Sequence, residues 1–556
     1  MKMKAYDVLQ VNVRKAQQRY GLLARHANIL SALLVGLGLV AILSGVAGRN
    51  VFVGLAGGLM LLAVIVVPRP IFVVYGLTLL LPLTAGMVRG GIIPFLRVSQ
   101  ALLVVGFLLF LLSRAGRLGK TRLTIIDLAF ALYFLTGSIL PVLALFYRGG
   151  TLNFDAPDKF TGVTPLQVLL GPLQYYMIYR IVVAVISSER QIEWVLKLSF
   201  FASILVALIG ILQKLGIGFV NAFLGRFYPT FNLHYVLSTR LISITDLRIT
   251  STLEFYSGLA GYLTCNMIAA LACSSARKKS NISPLLLTAT LVIDSIALVL
   301  TGTIAALVGL AIGAAVVFML FRRLPRSLVF VVVGMVLTAF MFSPFILARF
   351  NDWYTGPDSQ GIAQGIVPQA YAHRIVLWKD LILPEIGQHL LFGSGPAPKS
   401  SAYWSSEETQ YLYLLLRGGL FYLLSYLLLI GVAIAACWRQ IKQKRECVSR
   451  TVAIATLAIL AAISVMNVSG EYFTYAGVTQ VLWTFIALVI ASTQFQALEP
   501  PPPATSTGDR LRRRRFFQLP LREKTHVTRS IRLAGMSFLA DNPESLARDG
   551  NSRASF

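Results

Sequence analysis

"SSEETQYLYLLLRGGLFYLLSYLLLIGVAIAACWRQIKQKR", residues 405–445, opens on two carboxylates, runs apolar from 410 to 436 and closes on a basic cluster. An apolar run of that length can cross the roughly 30 Å hydrocarbon layer of a bilayer as a helix. Such runs recur along nearly the whole 556-residue chain, which is 56% hydrophobic and 13% charged, so a water-soluble globule is excluded. In hydrocarbon every backbone polar group must be satisfied within the chain, and these runs lack the two-residue alternation of barrel strands. The expected fold is therefore an all-α membrane protein, a multi-span helical bundle.

The length criterion gives about fourteen candidate spans. They lie near 27–47, 51–67, 70–88, 94–113, 124–146, 164–186, 194–215, 255–273, 283–301, 303–321, 327–345, 410–436, 451–467 and 475–493. Very short turns join the first two, and also the pair meeting at "LTGTIAAL" (300–307), so about 12–14 spans are expected. The first apolar run reads as a span rather than a cleaved signal, because it is long and lacks a cleavage-like ending. Cys265, Cys273, Cys437 and Cys447 have no metal or disulfide spacing and read as packing residues.

A net charge of +27 would point to nucleic acid in a soluble protein. In a membrane protein its distribution matters more. "RAGRLGKTR" (114–122), "ARKKS" (276–280), "RRLPR" (322–326), "WRQIKQKRECVSR" (438–450) and the basic segment 1–26 should all be cytoplasmic. Fourteen spans put them on one face together with both termini. The membrane domain is then 27–493, with long outer-face loops at 216–254 and 346–409, the larger holding short helices. The tail 494–556, with its prolines at 500–503 and "RLRRRR" at 510–515, has the composition of a disordered cytoplasmic segment.

Arginines on the outer face run against that charge rule. Arg226, Arg240 and Arg248 fall in the first long loop, Arg349 and Arg374 in the second, and Arg89 and Arg97 bracket the outer start of the fourth span. A planar guanidinium suits phosphate oxygens, so the outer face reads as built to hold an anion. The plainer reading pairs these arginines with Asp246, Asp352, Asp358, Asp380 and Glu385, or with lipid headgroups. Asp294, near the middle of the ninth span, belongs either to an ion pathway or to a paired or neutral group inside the bundle. Arg180 is close enough to the cytoplasmic end to snorkel. The histidines His234, His373 and His389 have no metal-like spacing.

Three stretches together resemble the O-antigen ligase and O-antigen polymerase family, membrane glycosyltransferases that use undecaprenyl-diphosphate-linked glycans. They are "RITSTLEFYSGLAGYL" (248–263), "HRIVLWKDLILPEIGQHLLFGSGP" (373–396) with its G-x-G turn, and the opening stretch with its glycine about eleven residues on. The resemblance covers roughly residues 160–490. It implies metal-independent transfer without a cofactor, with Arg248 and Arg374 clamping the diphosphate and Arg97 and Arg349 as lesser candidates. It also implies a flippase and a chain-length regulator as partners, and a bacterial plasma (inner) membrane location. The chain departs from the family's pattern in three places. Glu408-Thr409 replaces a His-Asn pair, Thr303-Ile304 replaces Ser-Arg, and Tyr256-Ser257 replaces Pro-Asn. A carboxylate in place of the histidine looks more like a polymerase.

Glu408 is thus the candidate catalytic base, deprotonating the acceptor sugar hydroxyl. The competing reading is a capping box, with Ser405 as N-cap and Glu408 reaching back from N3. Trp378, Tyr403 and Trp404 are candidate sugar contacts, or else interfacial anchors. The expected function is polymerisation of lipid-linked repeat units into an exported polysaccharide. The alternatives are a ligase acting on a lipid or protein acceptor, and an ion-coupled, bicarbonate-like transporter using Asp294.

Overall fold

The computed structural model describes residues 69–87, 97–114, 123–147, 165–228, 248–253, 255–276, 281–322, 327–347, 374–395, 409–443 and 447–498. All regular elements among them are helical. In chain order they are α1 (Ile71–Thr84), α2 (Val98–Arg114), α3 (Ile125–Phe134), a π turn (Leu135–Ile139), α4 (Leu140–Tyr147), α5 (Pro165–Val185), α6 (Glu189–Lys214) and α7 (Gly218–Phe227). Then follow α8 (Tyr256–Ser275), α9 (Pro284–Leu300), α10 (Ile304–Phe321), α11 (Leu328–Met341), a second π turn (Trp378–Ile382), α12 (Leu383–Gln388), α13 (Gln410–Lys442), α14 (Val448–Met466) and α15 (Val478–Leu498).

Six helical stretches among the described residues are long and apolar enough to cross a membrane: Ile125–Ala144, α6, α8, α10, α13 and α14. Every expected span from residue 70 onward coincides with a helix. The spans 27–47 and 51–67, the segment 1–26 and the tail beyond Leu498 lie outside the described residues. The compact unit ends at Leu498, five residues past the expected boundary at 493, because α15 continues to that point.

Two departures from the expected spans have local causes. The span starting at 194 begins at Glu189 instead. Glu189 accepts a bond from Ser449 Oγ (3.1 Å), and Glu193 accepts from the Asn281 amide (3.1 Å). Both acids are therefore satisfied while sitting in the first turns of α6, where they also complement the helix dipole. The span at 124–146 is interrupted by the first π turn. There Gly137 meets the Tyr422 ring with no room for a Cβ, and Thr136 Oγ1 bonds Ser425 Oγ across the interface at 2.7 Å. The wider turn lets α13 approach at this point.

Helix ends sort into two groups. At one end Ser274 meets Ser327 (2.6 Å), Glu193 meets Asn281, Glu189 meets Ser449, and Thr124 Oγ1 meets Tyr179 OH (2.8 Å). The basic segments 114–122, 276–280, 322–326 and 438–450 attach to helix ends of this group. At the other end Ile249 meets Leu300, Gly86 meets Thr252, and Gln410 meets Asn467.

Helix α8 is the buried axis. Its small residues let neighbours approach closely, and Gly309 and Gly313 of α10 repeat that device against Met466 and Ile268. By contrast α11 exposes Val329, Val332, Val336 and Phe340 at helical spacing. Water would not tolerate such a stripe on a monomer, whereas lipid covers it at no cost.

Candidate functional site

Arg248 opens a short segment, 248–253, that is held from three helices. Ile249 donates to Leu300 O at the end of α9 (3.5 Å). Thr252 Oγ1 donates to Pro82 O of α1 (3.0 Å), and Thr252 O accepts from Gly86 (2.9 Å). On α6, Gln213 Oε1 accepts the amides of Thr250 (3.1 Å) and Ser251 (2.9 Å), while Ser251 Oγ donates to Val206 O (2.6 Å). One turn earlier, Gly210 leaves the room: a Cβ there would lie 3.0 Å from Ile249 Cδ1 and 3.3 Å from Ser251 Cβ. Ser251 sits at φ 54°, a left-handed conformation costing a non-glycine residue roughly 1–2 kcal/mol. These bonds offset that cost and deliver Arg248 to the start of α8, its guanidinium 4.1 Å from the centre of the Tyr256 ring.

The turn "NVSGEYFTYAG" (467–477) between α14 and α15 brings Tyr472 to the same place. Its ring is enclosed by two glycines: a Cβ on Gly261 would lie 2.8 Å from Cδ1, and one on Gly470 would lie 2.7 Å from Cε2. Burial raises the Tyr472 hydroxyl above the ordinary phenol range, and Tyr256 adds to that. The Ser257 side chain and the charges of Arg374 and Arg248 pull it back. One buried hydroxyl therefore feels both arginines that the sequence paired, one from each long loop. Glu471, half-buried, directly precedes it, and the Glu471 carbonyl accepts from Thr474 N–H (2.9 Å) and Oγ1 (2.8 Å).

The start of α13 joins this turn. Thr409 Oγ1 donates to Asn467 O (3.0 Å), and the Gln410 amide donates to Asn467 O (2.9 Å) and Gly470 O (3.1 Å). Glu408 and Glu407 lie outside the described residues. The N-cap of α13 is Thr409, at φ −149°. Glu408 precedes that cap, so it does not hold the N3 position a capping box requires. The capping-box reading of the opening stretch fails on this point.

Helix α13 is not continuous. At Gly419 (φ 68°, ψ −164°) it breaks, about 13 Å along its axis at 1.5 Å per residue. The carbonyls of Leu416 and Arg417 accept from Ser394 (2.7 Å) and Gly395 (3.2 Å), and Leu420 donates to Leu390 O (2.7 Å). The "GSG" turn (393–395) is thereby seated on "RGG" (417–419), two motifs that the sequence reading took separately. Irregular backbone at membrane depth persists only where protein or a polar cavity satisfies it.

The remaining sequence candidates are spread more widely. Arg97 directly precedes α2, its amide donating to Gln100 Oε1 (3.0 Å). Trp378 packs against the apolar cluster of Ile382, Ile386 and Leu416 that fastens the second π turn to α13. Arg349, Arg89, Arg240, Tyr403 and Trp404 lie outside the described residues. Glu385 accepts from Ser394 Oγ (2.9 Å) and is 3.9 Å from His389, a local use of that acid. Asp294 is fully buried and takes a 2.6 Å bond from Ser203 Oγ, with no cation paired to it among the described residues. Arg180 does not merely snorkel. It pairs with Asp127 (3.2 Å), which also accepts from Tyr176 OH (2.9 Å) and closes a capping box with Thr124.

Sequence reasoning missed Tyr472, Glu471, Gln213 and the break at Gly419. An acid flanked by aromatics in a short turn between two spans was the available signal for the first two. No protein-family model and no curated protein matches the chain.

Proposed function

We propose that the protein is a plasma-membrane glycosyltransferase of about 12–14 passes that polymerises lipid-diphosphate-linked repeat units on the outer face. The observation that supports this reading is Arg248 held over the Tyr256 ring at the start of α8, with the charges of Arg248 and Arg374 both felt by the buried Tyr472 hydroxyl. The 248–253 segment lies at the helix ends opposite the basic segments, and the positive-inside rule makes that end external. The three-motif resemblance supplies the substrate class.

In this mechanism the acceptor sugar hydroxyl attacks the anomeric carbon of the donor sugar. The bond from that carbon to the diphosphate oxygen breaks, and its electron pair leaves with the diphosphate. Arg248 and Arg374 neutralise the charge as it builds, an interaction stronger in the transition state than in the ground state. The buried Tyr472 hydroxyl keeps its proton and serves as a further donor beside them. Glu408 takes the acceptor proton, and attack from the face opposite the leaving group inverts the anomeric centre. A carboxylate rather than a histidine at 408 favours the polymerase over the ligase.

Deletion of the gene tests the proposal in cells. Lipid-linked single units should accumulate on the outer face while longer glycans disappear. A deletion strain with a normal polymer ladder would refute it.

A further inference from the structure

We infer that Gln410 and Asn467 form a saccharide subsite, an amide seat for sugar hydroxyls beside the arginine–tyrosine cluster. The inference rests on the reading above, that a lipid-linked saccharide is the substrate.

Both side chains are fully buried. Among the described residues neither Gln410 Oε1 nor Gln410 Nε2 has a hydrogen-bond partner, and Asn467 Oδ1 has none either. The Asn467 amide group is oriented by its other end, since Nδ2 donates to Tyr426 OH at 2.9 Å. Folded proteins rarely leave one buried polar atom without a partner. Here three belong to two residues whose backbones are bonded to each other, at the joint where α13 begins and α14 ends. The Gln410 amide also bonds the carbonyl of Gly470, whose α-carbon lies against the Tyr472 ring. The seat therefore adjoins the residues proposed to hold the diphosphate.

The chemistry of the three atoms selects the ligand. Two are acceptors, Gln410 Oε1 and Asn467 Oδ1, and one is a donor, Gln410 Nε2. A phosphate oxygen offers only lone pairs, so two of the three would repel it. A sugar hydroxyl both donates and accepts, and a neighbouring pair of hydroxyls matches a carboxamide's carbonyl and NH₂. Neither residue carries a charge, as suits a neutral acceptor. The arginines would then grip the diphosphate while the amides grip the sugar.

Gln410→Met keeps the side chain's length and removes its polar atoms, so it separates this role from a structural one. In the purified full chain the variant should melt at or above the wild-type temperature, because the deleted atoms have no partner among the described residues. Its KM for the acceptor should rise about 2- to 12-fold per hydrogen bond lost, with kcat within about 2-fold. Free oligosaccharide cleaved from its carrier should raise the Tm of wild type and leave that of Gln410→Met unmoved. A lower Tm with unchanged KM would overturn the subsite and assign the amides a purely structural role. If Gln410→Met fails to accumulate, Gln410→Asn keeps the polar end one carbon short and should still raise KM. A wild type that binds free oligosaccharide without transferring it sinks the proposed function and leaves the subsite standing. Transfer with KM unchanged in the variants does the reverse.

Discussion

Replacing Gly419 with alanine asks whether the break in α13 is a required joint or an incidental bend. The residue sits at φ 68°, ψ −164°, a region essentially reserved for glycine, and holding alanine there costs about 1–3 kcal/mol. The added Cβ would also overlap the Leu391 carbonyl and lie 2.5 Å from Phe392 N, backbone atoms that cannot swing aside. The 389–395 segment must therefore retreat, which endangers the bonds Leu420–Leu390, Ser394–Leu416 and Gly395–Arg417. Losing one of them adds about 0.5–1.5 kcal/mol, so the whole change should cost roughly 2–4 kcal/mol. Gly431 in the same helix is the internal control, since a Cβ there meets nothing within 4 Å. Alanine at 431 should be neutral or stabilising by up to about 1 kcal/mol. Thermal unfolding in detergent measures the two costs, and hydrogen exchange at 389–395 locates the damage. If Gly419→Ala matches Gly431→Ala in both readouts, the interlock has no structural role and the reasoning is refuted.

Asp127→Asn leaves Arg180 without its counter-charge at the joint between α3 and α5. Thermal unfolding should report a loss toward the lower end of the roughly 3–5 kcal/mol seen for fully buried pairs, because Arg180 stays partly exposed. Reporter fusions after residues 280, 325 or 445 should read cytoplasmic, and those near 235 or 370 external; an external signal at 325 would reverse the sidedness of the whole site. Glu408→Gln should accumulate normally yet slow transfer roughly 10²–10⁴-fold, while Glu407→Gln stays mild in the same polymer-ladder assay. Arg248→Lys and Arg374→Lys keep the charge but lose the planar fork, so both should impair transfer in that assay.

The bundle was legible because apolar length and charge placement are properties of the chain itself. Each expected span from 70 onward is a helix, and the basic segments attach to one group of helix ends. Arg248 and Arg374 were also legible as candidates, since both open motifs within the long loops. The tyrosine whose hydroxyl feels both charges was not. Tyr472 is buried because two glycines, 261 and 470, lie on either side of its ring, and nothing local links those positions. Gln213 reads as one more polar residue near a helix end until Thr250 and Ser251 are seen on it. The break at Gly419 follows from its meeting with the 390–395 backbone, a contact between segments more than twenty residues apart. Arg180 was misjudged for a related reason, since its partner Asp127 stands on a different helix.

The most direct measurement is transfer by the purified protein in lipid vesicles, given a polyprenyl-diphosphate-linked oligosaccharide on the face bearing the 248–253 segment. Released polyprenyl diphosphate and glycan length are followed together. The account predicts that wild type lengthens the glycan and frees one polyprenyl diphosphate per bond formed, and that an Arg248→Ala/Arg374→Ala variant with a wild-type melting curve does neither. Substrate left intact by wild type, or cut equally fast by the double variant, would contradict it.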